Sequence, residues 1–212
     1  MGHPIDSYFL MNKRGFLGTA AVAATLPIAV RAAATAQPGP ALRGPALRGP
    51  ALLTVTGAIA RSNRGPFDPA LDQMMHKQGL RFSKAWTFDH AALMQLAPQT
   101  IRPTLEYDAR AHQLRGPLLL DVLAQAGARV GDNTTLVLRA VDGYNVELSG
   151  LQARTRRVIV ATHLDGNPMP LGGLGPLWAV YDADRVPQMA ALPLAQRFAA
   201  CPWALYHVEV RT

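Results

Sequence analysis

Short stretches that alternate apolar and polar residues dominate the second half of the chain, and long amphipathic helices are few. Alternation with β-branched and aromatic residues is typical of strands. It predicts strands at 53–57, 81–88, 101–107, 134–140, 144–148, 157–162, 177–181 and 204–210. The pattern therefore predicts an α+β fold, with a strand-rich mixed sheet and a few short helices.

Three short helices are predicted at 69–77, 90–96 and 118–126. Asp89 is a favourable N-cap residue for the second, and Pro98 ends it. The third has the strongest signals, with Pro117 in its first turn and Gly127 as a left-handed cap. Its apolar stripe consists of Leu118, Leu119, Val122, Leu123 and Ala126. We expect this stripe to face the core.

The pair Asp142-Gly143 lies between two predicted strands and favours a tight hairpin turn. No glycine-rich loop leads from a strand into a helix, which excludes the Rossmann and P-loop classes of nucleotide-binding site. No His-x-x-x-His or carboxylate pair occurs at metal spacing, so no protein metal site is predicted.

Residues 1–36 have the pattern of an export signal. Lys13 and Arg14 form a basic region, an Ala-rich apolar stretch follows at 18–30, and Ala36 fits a cleavage site. The basic region is one residue away from a twin-arginine motif, and an ordinary Sec signal remains the alternative. The apolar stretch is too short to span a bilayer. We expect a periplasmic or secreted protein whose translation starts at Met1 or at Met11.

A five-residue unit, Pro-Ala-Leu-Arg-Gly, repeats between the signal and the first strand. Such a Pro/Gly-rich segment cannot bury a core, and it predicts a linker over 37–52. The folded domain is then predicted over 53–212, the size of one domain.

Charge and cysteine content exclude several classes of function. The formal net charge is +7, but no basic run is interleaved with aromatic residues, so nucleic-acid binding is not predicted. Cys201 is the only cysteine, which rules out an intrachain disulfide and every multi-cysteine metal motif.

The order and spacing of several short motifs resemble the molybdopterin-binding domain of the sulfite oxidase family, especially its short secreted members. These motifs are Gly116-Pro117 with Leu120, Leu123, Ala126 and Gly127, then Asp142-Gly143-Tyr144, Gly166, Gly175-Pro176-Leu177-Trp178 and Pro202-Trp203. The resemblance implies an α+β fold around a molybdopterin cofactor.

One feature of that family is missing. Thr104-Leu105-Glu106-Tyr107 occupies the place of the family's Thr-x-x-Cys, whose thiolate binds molybdenum. Tyr107 is thus the nearest replacement, but a phenol with an ordinary pKa near 10 is a poor metal ligand at neutral pH. By the family pattern Cys201 is expected far from this loop. The resemblance therefore implies molybdopterin, while the missing thiolate argues against bound molybdenum.

The resemblance also implies a binding site where three segments converge. Its candidate residues are Arg110, His112, Arg115, Arg139, Asp142, Tyr144 and His163. The arginines and histidines could hold an anionic ligand or a pterin phosphate by charge-assisted hydrogen bonds. The alternative is that the arginines are solvated charges, Asp142 forms the turn and Tyr144 is a core aromatic residue.

Three hypotheses of function follow. The first is a molybdopterin-dependent oxidoreductase that uses Tyr107 or solvent in place of the thiolate. The second is a metal-free periplasmic module that binds a small anion or docks a membrane redox or signalling partner. The third is a purely structural role. Fold resemblance alone does not establish an enzymatic activity.

Overall fold

The computed structural model describes residues 47–212. The predicted export signal and residues 37–46 of the predicted linker lie outside the described residues. Arg48 and Gly49, near the end of that linker, donate backbone N–H groups to the Asp89 carboxylate at 2.6 and 3.0 Å.

Eleven strands are described within residues 47–212. They are β1 Leu53–Gly57, β2 Ala85–Phe88, β3 Pro98–Ile101, β4 Leu114–Pro117, β5 Thr135–Ala140, β6 Asn145–Ser149, β7 Ile159–Ala161, β8 His163–Leu164, β9 Asn167–Pro168, β10 Trp178–Val180 and β11 Leu205–Arg211. They form a five-stranded sheet in the order β2-β1-β11-β5-β6, a four-stranded sheet in the order β3-β4-β8-β9, and the pair β10-β7.

Short helices connect these strands. They are α1 Gln73–Lys77, α2 His90–Met94, α3 Leu119–Gln125, α4 Gly150–Thr155 and α5 Pro187–Ala190, with 3-10 turns at Ala183–Arg185 and Leu194–Gln196. The predicted α+β class, a strand-rich mixed sheet with a few short helices, is confirmed. None of the helices within 47–212 has the length and apolar character needed to cross a membrane.

The five-stranded sheet is mixed because β1 and β11 run parallel while the other neighbours are antiparallel. Thr54 of β1 lies opposite His207 of β11. Most positions of these two strands are buried. The centre of the sheet is therefore covered on both faces, and the main core packs against it.

Two of the predicted helix signals act as expected. The Asp89 side chain accepts a hydrogen bond from the backbone N–H of Ala92 and caps α2. Gly127 follows α3 with a φ of +80°, a left-handed conformation that glycine adopts without strain. The buried face of α3 consists of Leu119, Val122 and Leu123.

Several predicted boundaries are wrong. The strand expected at 101–107 is instead Pro98–Ile101, because Pro103 lacks a backbone N–H for a sheet ladder and the chain turns after it. Pro117 ends β4 rather than opening a helix, so α3 begins at Leu119. The strand predicted at 81–88 begins only at Ala85, and the helix predicted at 69–77 only at Gln73.

The sequence interpretation missed β4, β8, β9, α4 and α5. The start of α4 has a recognisable signal, since Ser149 and Gln152 form a capping box in which each side chain bonds the other residue's backbone N–H. In β4, the glycine at position 116 has a steric reason. A Cβ atom at Gly116 would overlap the carbonyl oxygen of Val160, so only glycine lets β4 cross β7 this closely.

Candidate functional site

A cavity of about 270 Å³ opens where three parts of the chain meet. We call it the Tyr107 cavity. The turn after β3 contributes Glu106 and Tyr107, and the β5–β6 hairpin contributes Ala140, Asp142 and Tyr144. The segment before β11 contributes Phe198, Ala199, Cys201 and Trp203.

The hairpin side of the cavity is fixed by local hydrogen bonds. The Asp142 carboxylate accepts the backbone N–H of Tyr144 at 2.9 Å, and Gly143 takes a φ of +95° between them. The Tyr144 hydroxyl donates to the carbonyl oxygen of Ala199 at 2.6 Å. The hairpin is thereby joined to the segment before β11. Asp142 is thus a turn former, as one sequence interpretation held, and it also lines the cavity.

Tyr107 lines the cavity and is 54% exposed. Its ring lies 6.5 Å from that of Trp178. Partial burial, together with the neighbouring Glu106 carboxylate, raises the pKa of Tyr107 to about 12. The phenol therefore stays protonated at neutral pH and does not offer an anionic oxygen to a metal ion.

Cys201 lines the same cavity as Tyr107, so the expectation that it lies far from this loop is wrong. Its position follows from a hydrogen bond in which the Trp178 indole N–H donates to the Cys201 carbonyl oxygen at 2.8 Å. Burial raises the pKa of the thiol to about 12. Since the thiolate is the reactive and metal-binding form, Cys201 is an inert thiol here.

Arg139 faces away from the Tyr107 cavity. Successive side chains of a strand point to opposite faces, and the neighbouring Ala140 lines the cavity. The Arg139 guanidinium lies 3.4 Å from the Glu209 carboxylate on β11. Its charge is thus already paired within the sheet.

His112 is held between two carboxylates outside the cavity lining. Its Nδ1 lies 2.6 Å from Asp165, and its Nε2 lies 2.9 Å from Asp108. These hydrogen bonds, the one to Asp165 first, raise the pKa of His112. The cluster joins the 105–112 turn to the β8–β9 hairpin. Arg110 is exposed in the same turn and donates its backbone N–H to Asp108.

Arg115 and His163 lie opposite each other on β4 and β8. His163 is hydrogen-bonded to the Thr162 hydroxyl at 2.8 Å, and its ring lies 5.7 Å from that of His90. Burial, with smaller contributions from His90 and Arg115, lowers the pKa of His163. The neutral imidazole is therefore favoured.

The structure thus brings together only part of the predicted site. Tyr107, Asp142 and Tyr144 share one cavity. The five basic candidates do not line it: Arg110, His112, Arg115, Arg139 and His163. The sequence interpretation missed the other functional side chains of the lining, Glu106, Phe198, Cys201 and Trp203, because most of them reach the cavity from the segment before β11.

The side chains of the cavity do not fit the molybdopterin that the resemblance implies. In the family of the resemblance a Cys thiolate binds molybdenum, whereas this cavity offers a protonated phenol and a protonated thiol. An anionic pterin needs cationic donors, but the lining contains two carboxylates and no arginine, lysine or histidine. Within residues 47–212, no group of three or more His, Cys, Asp or Glu side chains is arranged to hold a metal ion.

Comparison with known protein families finds no match, and no curated protein matches the chain. Among solved structures, the chain is similar to the sulfane dehydrogenase SoxCD from Paracoccus pantotrophus, with 11% sequence identity and a TM-score of 0.49. The match covers 75% of this chain and 37% of that chain, so the chain spans well under half of its length. This likeness assigns no ligand or activity.

Proposed function

We propose that the chain is a metal-free binding module and that the Tyr107 cavity takes a small organic cation. The observation that supports this proposal is the composition of the lining. The lining contains two carboxylates and four aromatic rings, and it contains no cationic side chain. This replaces the anionic ligand expected from the sequence with a ligand of opposite charge.

Three of the aromatic rings are accessible to a ligand. Tyr107, Tyr144 and Trp203 are exposed by 54%, 50% and 40%, whereas Phe198 is buried. The face of an aromatic ring attracts a cation, with about 0.5–2 kcal/mol for each favourable contact. Rings of this kind, arranged around carboxylates, suit a quaternary or primary ammonium group.

Each side chain has a definite part in binding. Glu106 and Asp142 attract the positive charge, and the accessible rings pack against the methyl or methylene groups that carry it. Tyr144 is already fixed by its hydrogen bond to Ala199, so little side-chain freedom is lost on binding. The protonated Tyr107 hydroxyl can donate to an oxygen of the ligand.

The lining favours binding over catalysis. Nucleophilic catalysis needs an activated nucleophile beside a general base. The thiol of Cys201 is buried and protonated, and no histidine lines the cavity.

Calorimetric titration with choline tests the proposal, with 3,3-dimethylbutan-1-ol as its uncharged isostere. We expect saturable binding of choline and at least about tenfold weaker binding of the isostere. Glu106→Gln and Asp142→Asn should each weaken choline binding, and the amide oxygen introduced by Asp142→Asn can still accept the turn hydrogen bond. Asp121→Asn, at an exposed acid that does not line the cavity, is the matched control. Equal affinity for both compounds would disprove the charge preference, and no binding of either would count against the binding module.

Tyr107→Cys tests the molybdopterin alternative. We expect the purified variant to contain no more molybdenum than the wild type or a Tyr107→Ser control, because the cavity has no cationic side chain for the cofactor's phosphate. Elemental analysis after expression in a host that makes molybdopterin provides the measurement. A specific gain of molybdenum in the cysteine variant would favour the oxidoreductase hypothesis instead.

We also propose that the protein is exported, on the basis of the predicted signal over 1–36. The double substitution Lys13→Gln, Arg14→Gln should abolish twin-arginine-dependent export of a folded reporter. Export that is unchanged in the double variant would favour the Sec alternative.

A further inference from the structure

A second cavity, of about 460 Å³, is lined by a different set of residues. We call it the arginine cavity, because Arg102, Arg156, Arg157 and Arg185 all line it. Asp182 is the only acid in its lining, and none of its residues lines the Tyr107 cavity. The lining therefore carries a strong surplus of positive charge.

Two of these arginines are held in place. Arg157 takes a φ of +51°, which is uncommon for a residue other than glycine, and its guanidinium donates to the Gln99 side-chain oxygen at 2.9 Å. The Arg156 guanidinium lies 5.3 Å from the ring centre of Tyr181. Stacking on an aromatic face leaves the N–H groups at the edge of a guanidinium available to a ligand.

Asp182 offsets only part of the positive charge of the four arginines. Its Oδ2 lies 3.6 Å from the Arg185 Nε and 3.4 Å from the backbone nitrogen of Arg102. Both distances are long for a hydrogen bond. The Arg185 side chain is 87% exposed, so this contact holds it only loosely.

We propose that the arginine cavity binds the phosphoryl dianion of a small phosphate monoester. Guanidinium groups present forked pairs of N–H donors that match phosphate oxygens, and several of them around one dianion give charge-assisted hydrogen bonds. The volume lies within the range of small-molecule sites and exceeds what a free phosphate ion needs, which favours an organic ester. The site shares no lining residue with the Tyr107 cavity, and this proposal does not rest on the function proposed for that cavity.

Calorimetric titration of the full chain with glycerol 3-phosphate, inorganic phosphate and glycerol tests this proposal. We expect glycerol 3-phosphate to bind saturably and more tightly than inorganic phosphate, and glycerol not to bind. Added salt should weaken the binding, since the interaction is mainly electrostatic. Equal affinity for inorganic phosphate would overturn the assignment of an organic ester, and absence of binding of both phosphates would overturn the site.

Substitutions locate the site. Arg102→Gln and Arg157→Gln should each weaken the binding of glycerol 3-phosphate by about tenfold or more. Arg129→Gln, at an exposed arginine that does not line the cavity, should leave it unchanged. If Arg157→Gln does not fold, Arg102→Gln and Arg185→Gln, both at exposed positions, decide the question. Wild-type affinity in those variants would refute the proposal, while choline binding should persist in all of them.

Discussion

Truncating Leu123 to alanine removes three carbon atoms from the centre of the core. The Leu123 side chain is fully buried on α3 and belongs to the main hydrophobic cluster. The transfer free energy of the lost groups is about 0.8 kcal/mol for each carbon, or roughly 2.4 kcal/mol in total. The remaining cavity adds to this loss, and we expect a destabilisation of about 2–5 kcal/mol.

Urea unfolding followed by circular dichroism measures this loss. The midpoint should fall while the slope of the transition stays the same, because the surface exposed on unfolding hardly changes. The melting temperature should fall by about 4–20 °C for a domain of this size. Neither measurement depends on a ligand.

Leu120→Ala is the matched control, because Leu120 is the second residue of the same helix. Leu120 is only partly buried, and alanine is the best helix former, so its loss should be about 1 kcal/mol or less. A Leu123→Ala variant that folds normally and loses no more stability than Leu120→Ala would refute the role given to the buried face of α3.

Three further predictions concern the sheets and their connections. Burial, with a smaller contribution from Arg139, lowers the pKa of His207 to about 4. As the pH falls from about 6.5 to 4, this histidine therefore takes up a proton in the unfolded chain but not in the folded chain. The contribution of His207 to the free energy of unfolding is therefore fully present above about pH 6.5 and should fall by up to roughly 3 kcal/mol towards pH 4. The free energy of unfolding of a His207→Gln variant should depend less on pH over this range. Gly116→Ala should destabilise the fold by about 1–3 kcal/mol or more, because the new methyl group meets the backbone at Val160. A variant with wild-type thermal stability would contradict the close contact between β4 and β7. Ser149→Ala removes the cap of α4 and should cost about 0.5–2 kcal/mol, which a Ser149→Asp variant should largely avoid in the same urea assay.

Features that depend on neighbouring residues could be predicted from the sequence. Asp89 caps α2 because its own side chain reaches a backbone N–H three residues away. Gly127 ends α3, and the turn at Asp142 and Gly143 joins β5 to β6, for equally local reasons. The capping box at Ser149 was an available signal of the same kind.

Features that depend on distant parts of the chain could not be predicted in this way. Cys201 lines the Tyr107 cavity because the indole of Trp178 binds its carbonyl group, a contact that joins two separate segments. Alternation along β5 requires Arg139 and Ala140 to face opposite ways, but only the assembled sheet decides which of them meets the cavity. The arginine cavity likewise joins the end of β3, the end of α4 and the segment after β10.

The pairing of β1 with β11 constrains the order in which the protein can fold. Thr54 and His207 are neighbours in the sheet although they lie near opposite ends of the described chain, and β11 also holds β5. Until residues 205–211 have left the ribosome, β1 and β5 lack the strand that joins them, and such long-range pairing is slow to form. Ribosome-bound chains arrested before Leu205 emerges should therefore be digested rapidly by protease, and resistance should appear only once β11 is free to insert between β1 and β5.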